Sequence, residues 1–352
     1  MKLFSPFRIR EIELKNRIVV SPMCEYSAKD GHPQTWHLVH LGSRAIGGAA
    51  LVFTEATAVE ERGRISSADT GIYEDGHVES WRPIAEFIRS HGAVPGMQLA
   101  HAGRKASTAP PWTGGKPVSV QEGGWEPVGP SALAFDAGYT VPRELPAADI
   151  AGIVAAFRKS AERALAAGFE VIEIHAAHGY LLHQFLSPLS NTRTDEYGGA
   201  FENRIRVTLK VARAVREVWP QRLPLFVRVS ATDWKEGGWD LAQTIELARQ
   251  LKPLGVDLID TSSGGLVPGV KIPLGPGYQT GFAEAIRKEA GIATGAVGMI
   301  SEPTQAETIL ATEQADLVFL AREMLRDPYW PRRAAKALDA KIKAPVQYER
   351  GW

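Results

Sequence analysis

The sequence predicts a (β/α)8 TIM barrel, and three observations lead to this fold. Eight short runs rich in Val, Ile and Leu alternate with longer amphipathic segments, as parallel strands alternate with helical crossovers. The length of 352 residues is normal for such barrels, which span roughly 200 to over 400 residues. No Gly-x-Gly-x-x-Gly follows the first strand, which argues against an open dinucleotide-binding sheet. We therefore predict a single barrel domain over residues 1–352.

The predicted elements follow one another at regular intervals. The predicted strands are Arg17–Ser21, Ala50–Glu55, Val94–Ala100, Glu170–His175, Leu225–Ser230, Leu258–Ser262, Thr294–Gly298 and Leu317–Ala321. Helical patterns lie at Gln34–Ile46, Val78–Ser90, Ala148–Ala166, Ala200–Val218, Leu241–Leu251, Gly281–Glu289, Pro303–Ala311 and Tyr329–Asp339. Phe7–Leu14 is predicted to be an N-terminal hairpin that closes the barrel floor. Ala106–Leu145 is predicted to be a long third βα loop, in which Trp112, Trp125 and Phe135 favour a packed lid over disorder.

The composition limits the partners of the chain. Lys+Arg and Asp+Glu number 40 each, so no basic excess favours nucleic acid, and no run of like charge favours a membrane surface. The first residues contain no apolar stretch typical of a signal peptide, and no run approaches the roughly 18 apolar residues of a membrane span. The single cysteine, Cys24, excludes an internal disulfide. We expect a cytoplasmic globular protein.

The motif His175-Ala-Ala-His178-Gly-Tyr180 carries the clearest chemical signal. It follows a predicted barrel strand, so two imidazoles and a phenol gather at the catalytic end. Two imidazoles can hold a carbonyl or nitro oxygen, and a phenol can deliver a proton. The alternatives are a merely structural histidine bonded to Glu173, or a zinc site built from both histidines with Glu173 or Asp233. We favour the polarising site and expect no metal in it.

Two polar residues interrupt apolar strands. Arg228 lies in the fifth strand on the same face as Phe226, and a guanidinium inside a barrel needs an anionic partner. Glu173 is one candidate, and a reduced flavin is another, because it carries negative charge near N1. Gln98 ends the third strand, where its amide can pair with a ring edge such as that of a flavin.

The last two strands end in residues suited to a phosphate. Loops after strands seven and eight form the usual phosphate site of TIM barrels. Gly298 permits close backbone approach, Arg322 supplies a cation, and Ser262 adds a hydroxyl. Cys24 and Tyr26 follow the first strand, and spacing alone does not separate a reactive Cys24 from an inert one.

Together these motifs closely resemble the Old Yellow Enzyme family of FMN-dependent ene-reductases, and within it the bacterial thermophilic-like NADPH dehydrogenases. The resemblance spans almost the whole chain. It is carried by Leu14-Lys-Asn-Arg-Ile-Val, Ser21-Pro-Met-Cys-Glu-Tyr26, Gln98-Leu-Ala-His-Ala-Gly-Arg-Lys105, His175-Ala-Ala-His-Gly-Tyr180, the segment Phe185–Gly199 and the tail Pro345–Trp352.

The resemblance implies a bound FMN and NADPH as the hydride donor. It also implies reduction of activated C=C bonds in small α,β-unsaturated aldehydes, ketones, imides and nitro compounds, by hydride transfer from FMN N5 and protonation by Tyr180. The positions that match the family's FMN contacts are Ser21, Pro22, Met23, Cys24, Ala56, Gln98, Arg228, Ser262, Gly298, Ala321 and Arg322.

The resemblance also assigns the substrate side. His175 and His178 match the pair that binds the activating oxygen, and Tyr26 matches the subgroup's substrate tyrosine. Arg350 matches an arginine that enters the partner subunit's site, which implies a homodimer or homotetramer.

The sequence departs from the family pattern at two places. Ala321 stands where the family usually has Gly before the phosphate-binding arginine, and the third βα loop is longer than in compact members. Two other functions stay open from the residues alone. One is a metal-dependent barrel hydrolase that uses His175 and His178, and the other is a barrel that only binds a phosphorylated ligand.

Overall fold

The chain folds into a closed barrel of eight parallel strands, which confirms the predicted fold. The computed structural model describes residues 1–352. Around the barrel the strands run β10-β11-β12-β3-β4-β5-β8-β9. The strands of the chain are β1 Phe7–Ile9, β2 Ile12–Leu14, β3 Ile18–Val20, β4 Leu51–Ala58, β5 Val94–Ala100, β6 Val128–Gly129, β7 Arg143–Glu144, β8 Val171–Ala176, β9 Leu225–Ser230, β10 Leu258–Ser262, β11 Ala293–Ala296 and β12 Leu317–Leu320.

Helices cover the outside of the barrel. They are α1 Thr35–Ile46, α2 Asp75–Ser90, α3 Ala147–Ala166, α4 Leu181–Leu186, α5 Phe201–Arg204, α6 Arg206–Val218, α7 Leu241–Leu251, α8 Thr280–Ala290, α9 Pro303–Ala311, α10 Arg322–Arg326 and α11 Trp330–Ala337. The prediction of one continuous helix over Ala200–Val218 was wrong, because the helix breaks at Ile205. None of the helices is both long enough and apolar enough to span a membrane.

The N-terminal hairpin is present and lies at the barrel floor. β1 and β2 pair antiparallel with Phe7 opposite Leu14. Arg10 at its turn bonds Asp257, which immediately precedes β10, at 2.7 Å. The N–H of Glu11 donates to the carbonyl of Arg222, just before β9. These contacts place the hairpin at the N-terminal ends of the strands, opposite the end where barrel active sites lie.

Three phenylalanines from different strands pack within the barrel. The ring centroid of Phe53 on β4 lies 6.1 Å from that of Phe226 on β9 and 6.2 Å from that of Phe319 on β12. Gly295 on β11 makes room for this layer, because a Cβ there would collide with the Phe319 ring. The barrel is therefore a packed core up to this level, and only its upper end is left for polar residues.

The long third βα loop, between β5 and α3, is folded against the barrel rim. The indole N–H of Trp125 donates to the Arg62 carbonyl at 2.8 Å. Arg193, from the loop after β8, donates to the carbonyls of Pro130 and Leu145. Inside the loop, β6 and β7 form a small two-stranded sheet. The loop thus forms one wall above the strand ends, as a packed lid would.

Candidate functional site

The motif 175–180, called the histidine turn below, leaves the barrel at the end of β8. His178 and Gly179 both adopt left-handed backbone conformations, with φ of +58° and +74°. A Cβ at Gly179 would collide with the carbonyl of Gly265 in the loop after β10. Glycine is therefore required at 179, and the tight turn directs His178 and Tyr180 back over the barrel.

Hydrogen bonds from three other segments fix the histidine turn. The N–H of His178 donates to Ser230 Oγ at 2.9 Å, and Lys105 Nζ donates to the His178 carbonyl at 2.9 Å. The N–H of Gly179 donates to His183 Nδ1 at 2.9 Å. The proton of His183 is therefore on Nε2, which lies 2.9 Å from Asp233 Oδ1. The strained turn is held from both sides, so its side chains are preorganised.

The two imidazoles and the phenol of the turn are neighbours. The ring centroid of His175 lies 5.1 Å from those of both His178 and Tyr180. Nε2 of His178 lies 2.7 Å from Ser262 Oγ, whereas Nδ1 of His175 is buried without a hydrogen-bond partner. Burial, followed by the nearby charge of Arg228, lowers the pKa of both histidines well below the usual value. Both imidazoles are consequently neutral at pH 7.

Tyr180 is enclosed by the lid and a lysine. Burial, with smaller contributions from Cys24 and Tyr26, raises the pKa of Tyr180 well above its usual value, so the phenol keeps its proton. Lys105 Nζ lies 5.0 Å from the centre of the Tyr180 ring and 4.6 Å from that of Phe135. Burial lowers the pKa of Lys105 to about 8.

Cys24 and Tyr26 enter the same region from the end of β3. Together with Tyr180 and Trp125 they pack against a small apolar cluster of Ile65, Ala102 and Ala106. Tyr26 has φ of +45°, and its ring meets the edge of Trp112 from the lid at 5.8 Å. Burial and the carboxylates of Asp69 and Glu55 raise the pKa of the Cys24 thiol, so it is not a thiolate at pH 7.

Arg228 is paired with a carboxylate that the sequence analysis missed. Its Nε lies 3.1 Å from Asp260 Oδ2, whereas Glu173 accepts a hydrogen bond from Gln98 Nε2 at 2.7 Å. Of the two candidate partners offered by the sequence, Glu173 and a flavin, Glu173 is not the carboxylate paired with Arg228, and Asp260 was not among the candidates. Burial and the charge of Asp260 raise the pKa of Glu173, which favours its neutral form. The neighbouring positions on β9 and β10 explain the contact, since Arg228 and Asp260 are register partners.

The strand ends on the other side of the barrel offer unpaired donors. Gly298 has φ of +126°, and a Cβ there would lie 2.9 Å from Gln279 Nε2. The backbone N–H groups of Gly298, Met299 and Ala321 donate to no protein acceptor. The side chain of Arg322 is exposed and forms neither a hydrogen bond nor an ion pair. These groups, called the anion loops below, can bind a phosphate.

The residues present fit a flavin mononucleotide. Ser21 Oγ and Arg228 Nε are buried without a hydrogen-bond partner, and Gln98 uses its Nε2 for Glu173. Donors and acceptors suited to a heterocycle edge therefore lie near the barrel axis, and donors suited to a phosphate lie at the anion loops. Pro22, Met23 and Ala56 lie at or beside the strand ends of the same rim, where Ala56 is buried on β4.

Sequence comparison identifies the family of the chain. The sequence profile of the NADH:flavin oxidoreductase / NADH oxidase family matches residues 2–341. An NADPH dehydrogenase of Bacillus licheniformis is 52% identical over 353 residues, which cover 100% of this chain and 99% of that protein. One from Bacillus subtilis is 51% identical with the same coverage. The chain belongs to the Old Yellow Enzyme family.

Solved structures of Old Yellow Enzyme relatives agree. Morphinone reductase superposes with a TM-score of 0.81 at 29% identity, covering 97% of this chain and 91% of its own. An old yellow enzyme homologue from Zymomonas mobilis gives 0.80 at 28% identity, covering 98% and 95%. A complex of morphinone reductase with tetrahydroNAD gives 0.80 at 29% identity, covering 97% and 92%. The chain is thus an FMN-dependent oxidoreductase that uses NADPH, and nothing in these relatives supports the hydrolase alternative.

Three residues of this Old Yellow Enzyme site had no role in the sequence analysis. Asp260 interrupts the apolar run Leu258-Ile-Asp-Thr as Arg228 interrupts its own strand, so the same signal was available. Lys105 and His183 gave no signal, because their partners lie 73 and 50 residues away, at His178 and Asp233. At the tail, Trp352 packs on Tyr329 and Arg332 of its own chain. Arg350 is exposed in the short 3-10 helix Val346–Gly351.

Proposed function

We propose that this enzyme reduces the activated C=C bonds of small α,β-unsaturated aldehydes, ketones, imides and nitro compounds. The observation that carries the proposal is the histidine turn, where two neutral imidazoles lie beside a protonated phenol. Neutral imidazoles can donate hydrogen bonds to a carbonyl or nitro oxygen and take up developing negative charge. A phenol with a raised pKa stays protonated until it is needed as an acid.

FMN, when bound, would supply the hydride chemistry, with NADPH as the source of the hydride. Arg228 provides positive charge and Gln98 an amide for the flavin ring, while Ser21 supplies a free hydroxyl. Along the rest of the cofactor we assign Pro22, Met23, Cys24, Ala56, Ser262, Gly298, Ala321 and Arg322. The phosphate is bound by the anion loops, in which the N–H of Ala321 replaces that of a glycine.

On the substrate side, each residue has one task. His175 and His178 bind the activating oxygen, and Ser262 orients His178 through the 2.7 Å contact at Nε2. Tyr180 gives its phenolic proton to Cα as the hydride is added at Cβ, so the π bond of C=C is broken, two C–H bonds form and the C–C single bond remains. Tyr26, which contacts Trp112 of the lid edge to face, is assigned to bind the substrate.

Tyr180→Phe tests the proton-donor role. We expect the rate of alkene reduction to fall by about 10²–10⁴-fold, the usual contribution of a general acid. NADPH oxidation with an acceptor that needs no carbon protonation, such as ferricyanide, should stay near the wild-type rate. Tyr197→Phe is the matched control, since this hydroxyl accepts a hydrogen bond from Lys210 on the outside of the barrel. Equal losses in both half-reactions would contradict the assignment.

Arg350 supports a second part of the proposal, an active homodimer or homotetramer in which this residue enters the neighbouring site. In support, Arg350 is exposed in the short 3-10 helix Val346–Gly351, where it is available to a neighbouring chain. Arg350→Ala and Tyr180→Phe chains should each be impaired alone. In a co-expressed mixed dimer, one site combines the intact Tyr180 of one chain with the intact Arg350 of the other. Activity above the sum of the two homo-oligomers supports the exchange, and the absence of rescue contradicts it.

A further inference from the structure

We propose that His32, Glu74 and His77 form a binding site for a divalent zinc-class ion, separate from the flavin site and from the predicted activity. His32 lies in the loop between β3 and α1, and Glu74 and His77 lie at the start of α2. His77 is fully buried, His32 is partly buried and Glu74 is exposed. An ion bound here would join the first βα loop, which carries Cys24 and Tyr26, to the helix that follows β4.

The distances between the ligand atoms suit tetrahedral coordination. With metal–ligand bonds of about 2.0–2.1 Å, neighbouring ligand atoms of a tetrahedron are about 3.3–3.4 Å apart. Glu74 Oε1 lies 3.4 Å from His32 Nε2 and 3.5 Å from His77 Nε2. All three ligand atoms lie within 4.8 Å of one another. A small rotation of the partly exposed His32 is enough to close the remaining edge.

The local sequence explains how these residues meet. Asp30 and Gly31 have φ of +51° and +80°, and Lys29 and His32 exchange backbone hydrogen bonds across them, which is a tight hairpin turn. Gly31 is required here, because a Cβ would lie 2.6 Å from His77 Nε2. Glu74 caps α2 and His77 follows three residues later, so both lie on one face of its first turn.

The hydrogen bonds of His32 leave its Nε2 lone pair free for a metal. Ser80 Oγ donates to the Gly76 carbonyl at 3.2 Å, so at its 2.7 Å contact with His32 Nδ1 it acts as the acceptor. The imidazole proton is therefore on Nδ1. Two lone pairs, on His32 Nε2 and Glu74 Oε1, then face each other at 3.4 Å, an arrangement that a cation stabilises. Ligating histidines commonly donate their other N–H to such an outer partner.

His77 and the backbone complete the ligand set. His77 Nε2 lies 3.1 Å from the Asp30 carbonyl oxygen, and its Nδ1 is buried without a partner. Since a carbonyl oxygen can only accept, the proton of this ring is on Nε2 in this structure, and it would move to the unpartnered Nδ1 when Nε2 binds a metal. The Asp30 oxygen is close enough to serve as the fourth ligand. Two imidazoles with carboxylate and carbonyl oxygens favour Zn²⁺, Co²⁺ or Ni²⁺ over Mg²⁺ or Ca²⁺, which prefer all-oxygen sites.

Zinc content of the FMN-loaded protein tests the site. The protein is stripped with a chelator, dialysed against Zn²⁺ and analysed for metal, and its thermal midpoint is measured with Zn²⁺ and with chelator. We expect one zinc per wild-type chain and a higher midpoint with Zn²⁺. His32→Gln and Glu74→Gln should lose the stoichiometric zinc and the shift in midpoint. Ser80→Ala should weaken zinc binding by about 10- to 100-fold.

His91→Gln is the matched control, because His91 lies at the other end of α2 and bonds the Phe87 carbonyl at 2.8 Å. It should bind zinc as the wild type does. Since Glu74 is exposed, Glu74→Gln should keep its FMN content and far-ultraviolet circular dichroism, so lost zinc would not reflect unfolding. Wild-type protein without zinc would overturn the proposal. Zinc retained by both His32→Gln and Glu74→Gln would also overturn it and would point to His175 and His178 instead.

Discussion

The histidine turn and the anion loops lie at the same rim of the barrel but differ in how their polar groups are satisfied. In the histidine turn, backbone groups are bonded to Ser230, Lys105 and His183. In the anion loops, the N–H groups of Gly298 and Ala321 have no protein acceptor. The histidine turn is thus fixed by the protein itself, whereas the anion loops keep donors that only a ligand can pair.

This difference has a physical reason. An oxygen that gains charge during a reaction is stabilised best by donors that need no rearrangement, so the imidazoles must be fixed before substrate arrives. A permanently charged phosphate can itself order the groups that bind it, because each charge-assisted hydrogen bond contributes more than a neutral one. Damage to the histidine turn should therefore reduce turnover, and damage to the anion loops should reduce cofactor affinity.

Gly179→Ala should disrupt the histidine turn, and we expect it to have the largest effect on turnover. The methyl group would collide with the Gly265 carbonyl at a backbone φ of +74°, so the turn must shift and displace His178 and Tyr180. Because a displacement of about 1 Å can cost 10²-fold in rate, we expect alkene reduction to fall about 10²-fold with FMN retained. Steady-state kinetics and flavin absorbance measure both quantities.

Gly199→Ala is the control for backbone strain alone. Gly199 has φ of +71°, similar to Gly179, but a Cβ there meets no atom within 4 Å. Its kinetics should match the wild type, with a small loss of stability. If Gly179→Ala lost its FMN instead of its turnover, the two regions would not be separable as we describe them.

Arg322→Ala should weaken cofactor binding by the anion loops, and we expect a smaller effect than that of Gly179→Ala. We expect the dissociation constant of FMN to rise about tenfold, because an exposed guanidinium contributes about 1.5 kcal/mol through a charge-assisted bond. At saturating FMN, turnover should stay near the wild-type value. Arg326→Ala is the control, since that guanidinium is already paired with Glu323 at 2.6 Å. Unchanged FMN affinity in Arg322→Ala would remove Arg322 from the cofactor site.

The sequence predicted the two regions unequally well. The alternation of strands and helices placed the histidine turn, Gly298 and Arg322 at the ends of predicted strands. Side chains alternate between the two faces of a strand, and the barrel brings all its strand ends to one rim, so these positions were predictable. The residues that hold the turn were not predictable in this way. Lys105 and His183 contact it through tertiary packing, and periodicity says which face a side chain occupies but not which partner it meets.

Two local errors have the same origin. Arg228 was expected to need an anion, but the choice between Glu173 and Asp260 depends on side-chain direction across neighbouring strands. The continuous apolar stripe of 200–218 predicted one helix. The side chain of Arg204 instead turns inward to bond the Leu186 carbonyl, and the helix breaks at Ile205. In both places a buried arginine bonds or pairs with a group from another element of the chain, which periodicity does not predict.

Lys105→Met tests the histidine turn through the pH dependence of protein stability, and it is the variant from which we expect the smallest effect. Burial lowers the pKa of Lys105 from the usual 10.5 to about 8 in the folded protein, so folding disfavours the ammonium form. Below pH 8 Lys105 is protonated in both the folded and the unfolded protein. Folding then carries the full free-energy cost of burying the ammonium group. Between about pH 8 and 10.5 only the unfolded chain keeps the proton, so this contribution to stability rises with pH. The wild type should therefore gain stability relative to Lys105→Met as the pH rises through that window, measured as the difference between their denaturant-unfolding free energies. Lys336→Met is the control, since Lys336 is an exposed lysine of α11, and its stability should follow that of the wild type at every pH. If the stability of Lys105→Met also ran parallel to that of the wild type, Lys105 would not be desolvated.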